Sequence, residues 1–254
     1  MIQKFKLANK MKKYAYVGVS FIILVFGIIF VPRIVDRIKD TKIVQNNRMS
    51  ANNPITNEKL SFLKINGSNK SIPEFALLNQ DSLLITNHDF KGKVTVVDFF
   101  FTSCPTICPK MTSNLVHLNK NINNENLAIV SFTINPKYDT PTKLKKYAER
   151  YEVKNPNWHF LTGDKESIYN LAKNDFNIFA EENPNVPGGF EHSGYFALID
   201  QNGFMRSRYD QFGNPIVYYR GTVGVEEKID KNGEEEQISI LIQDINKLIE
   251  EHGN

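Results

Sequence analysis

Cysteine and net charge are both scarce in this sequence. With only two cysteines among 254 residues, no network of disulfides can hold the fold together. The formal net charge is +3, and the first thirteen residues alone contain five lysines and no acid: Lys4, Lys6, Lys10, Lys12 and Lys13. Without those five, 26 Lys and Arg face 28 Asp and Glu. This balance excludes the basic surface that a nucleic-acid-binding domain needs.

Long uncharged apolar runs are also lacking, with one exception near the N-terminus. Residues 14–31 form a run of 18 residues without a charged side chain, close to the roughly 20 that cross a bilayer as a helix. Lysines cluster before this run and few cations follow it, which places the N-terminus in the cytoplasm. A cleaved signal peptide is the alternative, but Phe30 to Arg33 offer no small-residue cleavage site. We predict a single-pass membrane anchor with the rest of the chain on the extracytoplasmic, periplasmic side.

Composition divides the chain into four parts. Residues 1–13 form a basic cytoplasmic segment, and residues 14–31 form the transmembrane anchor. Residues 32–56 are polar and rich in Asn and Lys, without sustained apolar periodicity, which is typical of a linker. Residues 57–254 form the folded domain.

The folded domain is predicted to be α/β. Residues 74–78 and 83–85 flank a turn-forming Asn-Gln-Asp-Ser cluster and predict a β-hairpin. The run 94–101 is β-branched and aromatic throughout except at Asp98, as in a central strand buried on both faces. The elements predicted after it are a helix following the cysteines, a strand at 127–133, a helix from Thr140, a strand at 158–161, a helix at 165–173, a hairpin of 195–200 with 204–208, and a helix near 238–249. This order is that of a thioredoxin-like fold with an added N-terminal β-hairpin.

The two cysteines lie where the central strand gives way to a helix. If that helix begins near Pro105, the spacing of four places the sulfurs of Cys104 and Cys108 on one face, one turn apart. The helix dipole then favours thiolate at both positions. A disulfide closing so short a loop stabilises little, so we predict a chemical role for the pair. Soft thiolates select Cu(I), and an added imidazole gives a three-coordinate site that also accepts Cu(II) or Zn.

Five histidines are candidates for that imidazole. Three are expected to be solvated: His88, His117 and His252. His159 lies in a predicted strand and is expected to be an ordinary sheet residue. His192 follows the Pro- and Gly-rich loop 183–189 and precedes a predicted strand, as functional groups on scaffold loops do. Its position alone leaves a ligand role open.

Several segments together resemble the Sco/SenC copper chaperones. They are, in chain order, Phe99–Pro109 with the sequence FFFTSCPTICP, Asn135-Pro136, Asp139-Thr140-Pro141, Leu161-Thr162-Gly163, and His192-Ser193 ahead of Leu198-Ile199-Asp200. The resemblance covers about residues 72–249. It implies a thioredoxin-like domain tethered by one helix, with copper, as Cu(I) or Cu(II), bound by Cys104, Cys108 and His192. It also implies delivery of copper to, or maintenance of, the binuclear copper centre of cytochrome c oxidase.

Three features depart from the family pattern. Asn135 stands where the family usually has Asp, and residues 209–216 look like an insertion. Asp98 interrupts the central strand, either as an ordinary hydrogen-bonded strand residue or as a buried proton acceptor for a cysteine.

Two functions remain open at this point. The first is metal transfer by a metallochaperone, not an enzyme, whose client is the copper-bearing subunit of cytochrome c oxidase or another copper protein. The second is thiol–disulfide exchange, in which Cys104 and Cys108 form a redox pair that a thiol reductant serves. A peroxiredoxin-like peroxidase is disfavoured because Cys104 lacks the Thr-x-x-Cys setting. The sequence does not separate the first two functions, since both need the same thiolates.

Overall fold

A computed structural model describes residues 20–32, 59–122, 124–209 and 215–252. The chain divides into two units, residues 1–56 and 57–254. In the first unit, residues 20–32 form helix α1. Within the described ranges, no helix has both the length and the apolar character needed to cross a membrane. Residues 14–19 of the predicted anchor, the basic segment, and residues 33–56 of the linker lie outside those ranges, so the anchor stays a prediction.

The second unit is built on a mixed sheet of eight strands. Six lie side by side in the order β1 (Ser61–Phe62), β12 (Met205–Tyr209), β11 (Tyr195–Ile199), β6 (Val94–Phe100), β7 (Leu127–Thr133) and β8 (Trp158–Leu161). Strand β13 (Pro215–Ile216) pairs with β12, and β14 (Tyr218–Arg220) pairs with β11. Strands β6, β7 and β8 are parallel, whereas β11 is antiparallel to β6 and to β12.

Three two-stranded ribbons and four helices surround this sheet. The ribbons pair β2 (Lys64–Ile65) with β3 (Ser68–Asn69), β4 (Ala76–Leu78) with β5 (Leu84–Thr86), and β9 (Ala180–Glu182) with β10 (Phe190–His192). The helices are α2 (Cys108–Ile122), α3 (Pro141–Arg150), α4 (Lys165–Asn170) and α5 (Ile238–His252), with a 3-10 helix at Asn87–Phe90 and a π-helical turn at Leu171–Asp175. Helix α2 packs against α5, α5 against β6, and α3 against β8. This is a thioredoxin-like α/β arrangement.

The parallel strands fix where the functional loops lie. All seven residues of β6 are buried, as are all seven of β7, which explains their continuous apolar runs. Phe100 at the end of β6 is opposite Thr133 at the end of β7, and Phe132 is opposite Leu161. The three strands therefore end together at one border of the sheet, called here the carboxyl edge, where ligand sites of α/β sheets form.

Most of the elements expected from the sequence are present. The β4–β5 hairpin, the strands β6, β7 and β8, the β11–β12 hairpin and the helices α3 and α5 confirm the predictions within a few residues. The predicted helix 165–173 ends earlier, at Asn170, and continues as the π-helical turn. Residues 210–214 of the expected insertion lie outside the described ranges.

One prediction about the cysteine segment is wrong. Helix α2 begins at Cys108, not near Pro105, so Cys104 lies in the preceding turn. Pro109 has no backbone N–H to donate to the carbonyl of Pro105, and proline is tolerated only in the first turn of a helix, so the helix starts beside Pro109. The backbone N–H of Cys104 instead donates to the carbonyl of Phe101 at 3.2 Å. The two sulfurs therefore do not share the first turn of one helix.

Candidate metal centre

The structure brings together the three side chains that the sequence singled out. The sulfurs of Cys104 and Cys108 and a ring nitrogen of His192 all lie within 4.8 Å of one another. Cys108 Sγ is 3.1 Å from His192 Nε2, although 84 residues separate them in the chain. Neither cysteine is in a disulfide. The exposed fraction is 8% for Cys104, 0% for Cys108 and 8% for His192, so the donors form a nearly dry cluster at the carboxyl edge.

A buried aspartate holds the turn that carries Cys104. Asp139 is fully buried, and its Oδ2 accepts hydrogen bonds from the backbone N–H of Thr102 at 3.0 Å and from Thr133 Oγ1 at 2.5 Å. The Thr102 hydroxyl donates to Oδ1. Asp139 thus ties the end of β7 to the turn after β6. Sequence reasoning missed this role, because the only signal was the place of Asp139 before the Thr-Pro that starts α3.

The β9–β10 ribbon positions His192. In its register His192 is opposite Ala180, and the backbone N–H of Ser193 donates to the carbonyl of Phe179 at 3.0 Å. His192 Nδ1 lies 3.1 Å from the carbonyl oxygen of Ser193. Since a carbonyl only accepts, Nδ1 carries the proton, and the lone pair of Nε2 points to the sulfurs.

Two glycines allow the backbone to approach closely around the cluster. A Cβ on Gly194 would lie 2.0 Å from Thr222 Cγ2. Gly188 has a φ of +88°, and a Cβ there would lie 2.9 Å from Pro105 Cδ. Only glycine fits both positions, so the loop before His192 and the backbone after it are packed against their neighbours.

The two cysteines differ in protonation. The hydrogen bond from the Cys108 thiol is the largest influence on Cys104, and with smaller influences of the neighbouring His192 and Thr106 side chains it lowers the pKa of Cys104 to about 3 despite burial. Burial, reinforced by the neighbouring Cys104, raises the pKa of Cys108. At neutral pH the pair is therefore one thiolate, slightly exposed, and one buried thiol.

Asp98 lies in the middle of β6 and is 1% exposed. Its Oδ1 accepts from Ser131 Oγ at 2.5 Å, and Trp158 Nε1 donates to the same Ser131 oxygen at 3.1 Å. Burial raises the pKa of Asp98 to about 7, against the opposing effect of the Ser131 hydrogen bond. Its hydrogen bond therefore goes to the sheet, as expected of an ordinary strand residue, and not to a cysteine.

The other histidines lie away from the cluster. His159 is on β8, where its Nδ1 is 3.2 Å from Asn79 Nδ2, which confirms it as a sheet residue. His88 is exposed and His117 is half-buried on α2, while the side chain of His252 lies outside the described residues. Elsewhere in the described ranges, no second group of three potential metal-binding side chains converges in this way.

Comparisons with known proteins agree on one family. The family described as SCO1/SenC matches residues 64–224. The "SCO1 protein homolog" of Bacillus subtilis (strain 168) is 34% identical over 149 residues, which is 58% of this chain and 77% of that protein. The "Putative copper-binding protein" of Stutzerimonas stutzeri is 31% identical over 147 residues, covering 54% of this chain and 68% of that protein.

The fold is also that of a solved relative. The structure of BsSco, "a member of the Sco family of cytochrome c oxidase assembly proteins" in which a disulfide switch was identified, superimposes with a TM-score of 0.58 at 28% identity. The superposition covers 76% of this chain and 98% of that one. The likeness thus extends over nearly the whole of the solved BsSco chain.

Proposed function

Since the chain belongs to the SCO1/SenC family, we propose that it is a copper chaperone that holds one copper ion between Cys104, Cys108 and His192. The observation that carries this proposal is the convergence of the three donor atoms within 4.8 Å. Two thiolates select Cu(I), and the imidazole lets the same site accept Cu(II). A family relative bears the name "Putative copper-binding protein", which supports copper as the cargo.

The surroundings of the donors suit capture and release of the ion. Cys104 is already a thiolate at neutral pH, whereas Cys108 gives up its proton when a metal binds, so copper uptake releases a proton. The proton on Nδ1 of His192 is held by the Ser193 carbonyl, which leaves Nε2 free as a ligand. Cys104 and His192 each retain 8% exposure, whereas Cys108 has none, so an incoming client reaches Cys104 or His192 before Cys108.

Copper titration of the reduced full-length chain against a coloured Cu(I) chelator tests the ligand set. We expect one ion per chain, no stable complex in Cys104→Ser or Cys108→Ser, and on the order of 10–100-fold weaker binding in His192→Ala, the loss typical of perturbed metal sites. His88→Ala is the matched control, because that exposed imidazole lies outside the cluster. Undiminished affinity of His192→Ala for both Cu(I) and Cu(II) would refute the assignment.

The proposed client is the copper-bearing subunit of cytochrome c oxidase, with another copper protein as the alternative. The support is the description of BsSco as belonging to a family of cytochrome c oxidase assembly proteins. Deletion of this chain is expected to remove the binuclear copper signal of the oxidase while its haem spectrum persists. Wild-type chain should restore the signal, and Cys108→Ser should not. Normal copper content in the deletion strain would point to another client.

Thiol–disulfide exchange is the second candidate, and the asymmetry between the two cysteines favours it. The Cys104 thiolate attacks a client disulfide, forming a mixed disulfide and releasing one client thiolate. That thiolate takes the proton of Cys108, whose sulfur then attacks Cys104 Sγ, closing a Cys104–Cys108 disulfide and releasing the second client thiolate. Two electrons pass to the client, and a thiol reductant restores the pair. The disulfide switch described for BsSco supports this chemistry.

The reduction potential of the pair separates the two candidates. A value well below the roughly −270 mV of thioredoxin suits a protein that reduces its client's cysteines. A value above that range, together with tight copper binding, would leave metal transfer as the function.

Residues 14–31 complete the proposal as a membrane anchor that keeps the domain on the periplasmic side. The support is the uncharged run of 18 residues preceded by five lysines. The chain is expected to stay with membranes at alkaline pH, and its domain should be digested by protease added to spheroplasts. Release of the full-length chain by alkaline washing would contradict the anchor.

A further inference from the structure

A groove of about 530 Å³ opens at the carboxyl edge beside the metal centre. Its lining includes Ser103 and Cys104 and, from α3, Lys143, Lys146 and Arg150. We call it the α3 groove. Since Cys104 is part of the lining, a molecule held there lies beside a proposed copper ligand.

The cations of the α3 groove form one stripe. Lys143, Lys146 and Arg150 are spaced by three and four residues, so they share a face of the helix, and they span about 10 Å at 1.5 Å per residue. The Lys143 ammonium lies over the ring of Tyr138, 2.9 Å from its centroid, which fixes one end of the stripe. Lys146 and Arg150 are exposed.

Among the residues that the structure describes, no carboxylate forms an ion pair with Lys143, Lys146 or Arg150. Lys145, on another flank of α3, pairs with Asp81 at 2.9 Å. The exposed Glu149 also influences Lys145 and, three residues after Lys146, is the one acid of α3 beside the stripe. The stripe therefore keeps a net positive charge beside Cys104.

We propose that the α3 groove binds an acidic segment of the client protein and so brings that segment's metal ligands against Cys104. The inference rests on the proposed chaperone function. An extended chain rises about 3.3 Å per residue, so three client residues match the length of the stripe. Because the groove is concave, an extended chain can lie along it, whereas a flat bilayer surface would contact only its rim. Opposite charges across such an interface accelerate encounter and set its register.

Copper transfer to two designed peptides tests the groove. Both peptides contain the same pair of cysteines, flanked by aspartates in one and by lysines in the other, so their metal donors are identical. The copper-loaded full-length chain is expected to transfer its ion at least roughly tenfold faster to the acidic peptide at low salt. High salt should shrink the difference. Lys143→Gln/Lys146→Gln/Arg150→Gln should abolish it without changing copper stoichiometry or affinity.

The matched control makes the same change in net charge at the opposite border of the sheet. Lys91, Lys120 and Lys154 are exposed and lie before β6, near the end of α2 and before β8. Their triple substitution by Gln should preserve the preference for the acidic peptide. Equal transfer rates to both peptides in the wild type, or loss of the preference in this control, would overturn the proposal.

Two further measurements separate the remaining outcomes. If the groove variant loses binding to anionic phosphatidylglycerol vesicles while the peptides are not distinguished, the stripe contacts lipid and the proposal is wrong. Equilibrium binding of fluorescent versions of both peptides to the copper-free chain tests the groove by itself. A chain that binds no copper but prefers the acidic peptide would therefore contradict the chaperone function and leave the groove standing.

Discussion

Two clusters of buried polar side chains in this domain differ in what neutralises them. One is the metal centre at the carboxyl edge. The other, called here the ionic cluster, includes residues of α5 and is centred on two ion pairs and a tyrosine, with Glu251 3.4 Å from Arg206 and Lys247 3.9 Å from Asp244 at its border. Arg206 is 3.0 Å from Asp200, and Arg208 is 3.4 Å from Asp244. The Tyr219 hydroxyl donates to Asp244 at 2.8 Å. Each acid of the ionic cluster thus has a cation of the protein itself beside it.

Among the described residues, the metal centre has no such cation beside it. Its three donors are largely shielded from water, and Cys108 Sγ lies 3.1 Å from His192 Nε2. Buried charges are stabilised when they are paired, and buried thiolates and imidazoles are also stabilised when a metal pairs them. The comparison shows that burial alone does not mark a functional site. What distinguishes the metal centre is a set of acceptors that lacks a partner cation.

The largest expected effect comes from breaking the ionic cluster. Arg206→Leu leaves Asp200, which is 2% exposed, as a buried charge without its cation. We expect a loss of about 3–5 kcal/mol in the free energy of unfolding, measured with urea, and unchanged copper stoichiometry. Arg150→Leu is the control, since an exposed side chain should change stability by about 0.5 kcal/mol or less. A similar loss in both variants would show that the pair with Asp200 is not the cause.

Asp98 sharpens the comparison, because within the described part of the chain no Lys or Arg forms an ion pair with this buried carboxylate, and His192 has only a minor influence on it. Its folded-state pKa of about 7 lies above the ordinary value of 3.8, so the folded chain binds a proton that the unfolded chain has lost. The contribution of Asp98 to the free energy of unfolding is therefore fully present below about pH 4. It falls as pH rises through 7, by up to about 4 kcal/mol. Asp98→Asn should remove this slope in urea titrations across that range.

The surface carboxylate of Asp164 is a control, because its contribution to stability depends on pH in the opposite direction. The backbone hydrogen bond from Ser167 lowers the pKa of Asp164, so its contribution is present at neutral pH and is lost as pH falls. Asp164→Asn should therefore reduce stability only at neutral pH. If Asp98→Asn leaves the slope of the wild type unchanged, the carboxylate of Asp98 is not the group that titrates.

Copper binding should stabilise the domain through the metal centre without involving the ionic cluster. At a free copper concentration one hundred times the dissociation constant, binding adds about 2.7 kcal/mol to the free energy of unfolding. Arg206→Leu should keep this increment, because the ionic cluster contributes no metal ligand, while Cys108→Ser should lose it. Urea unfolding with and without Cu(I) measures both. An increment that disappears in Arg206→Leu would mean that the two clusters are coupled.

The sequence predicted the scaffold better than the contacts between distant residues. Strands such as β6 and β7 could be predicted, because a strand buried on both faces has a continuous apolar run in the sequence. The prediction that His192 lies beside the cysteines came from the resemblance to a family, since the position of His192 alone left a ligand role open. The role of Asp139 in holding the turn before Cys104 could not be predicted, because it depends on a hydrogen bond with Thr102, which is 37 residues away. The start of α2 was missed because Pro109, which has no N–H to donate inside a helix, was given too little weight.

The smallest expected effect tests how the metal centre is held in place without ion pairs. The Cβ introduced by Gly194→Ala would lie 2.0 Å from Thr222 Cγ2, so the backbone next to His192 must shift. We expect a cost of about 1–3 kcal/mol and weaker copper binding. Thr222→Ser removes the obstructing methyl group and should restore both in the double variant.

Gly224→Ala is the matched control for this contact. A Cβ at Gly224 meets its nearest neighbour, Asn114 Oδ1, at 3.8 Å, which is an ordinary contact, so stability and copper affinity should not change. If Gly194→Ala binds copper as tightly as the wild type, the β9–β10 ribbon alone holds the imidazole. If Thr222→Ser restores stability but not copper affinity, the displaced ring does not return with the backbone. Rescue of both would show that the metal centre is positioned by close packing, where the ionic cluster is held by paired charges.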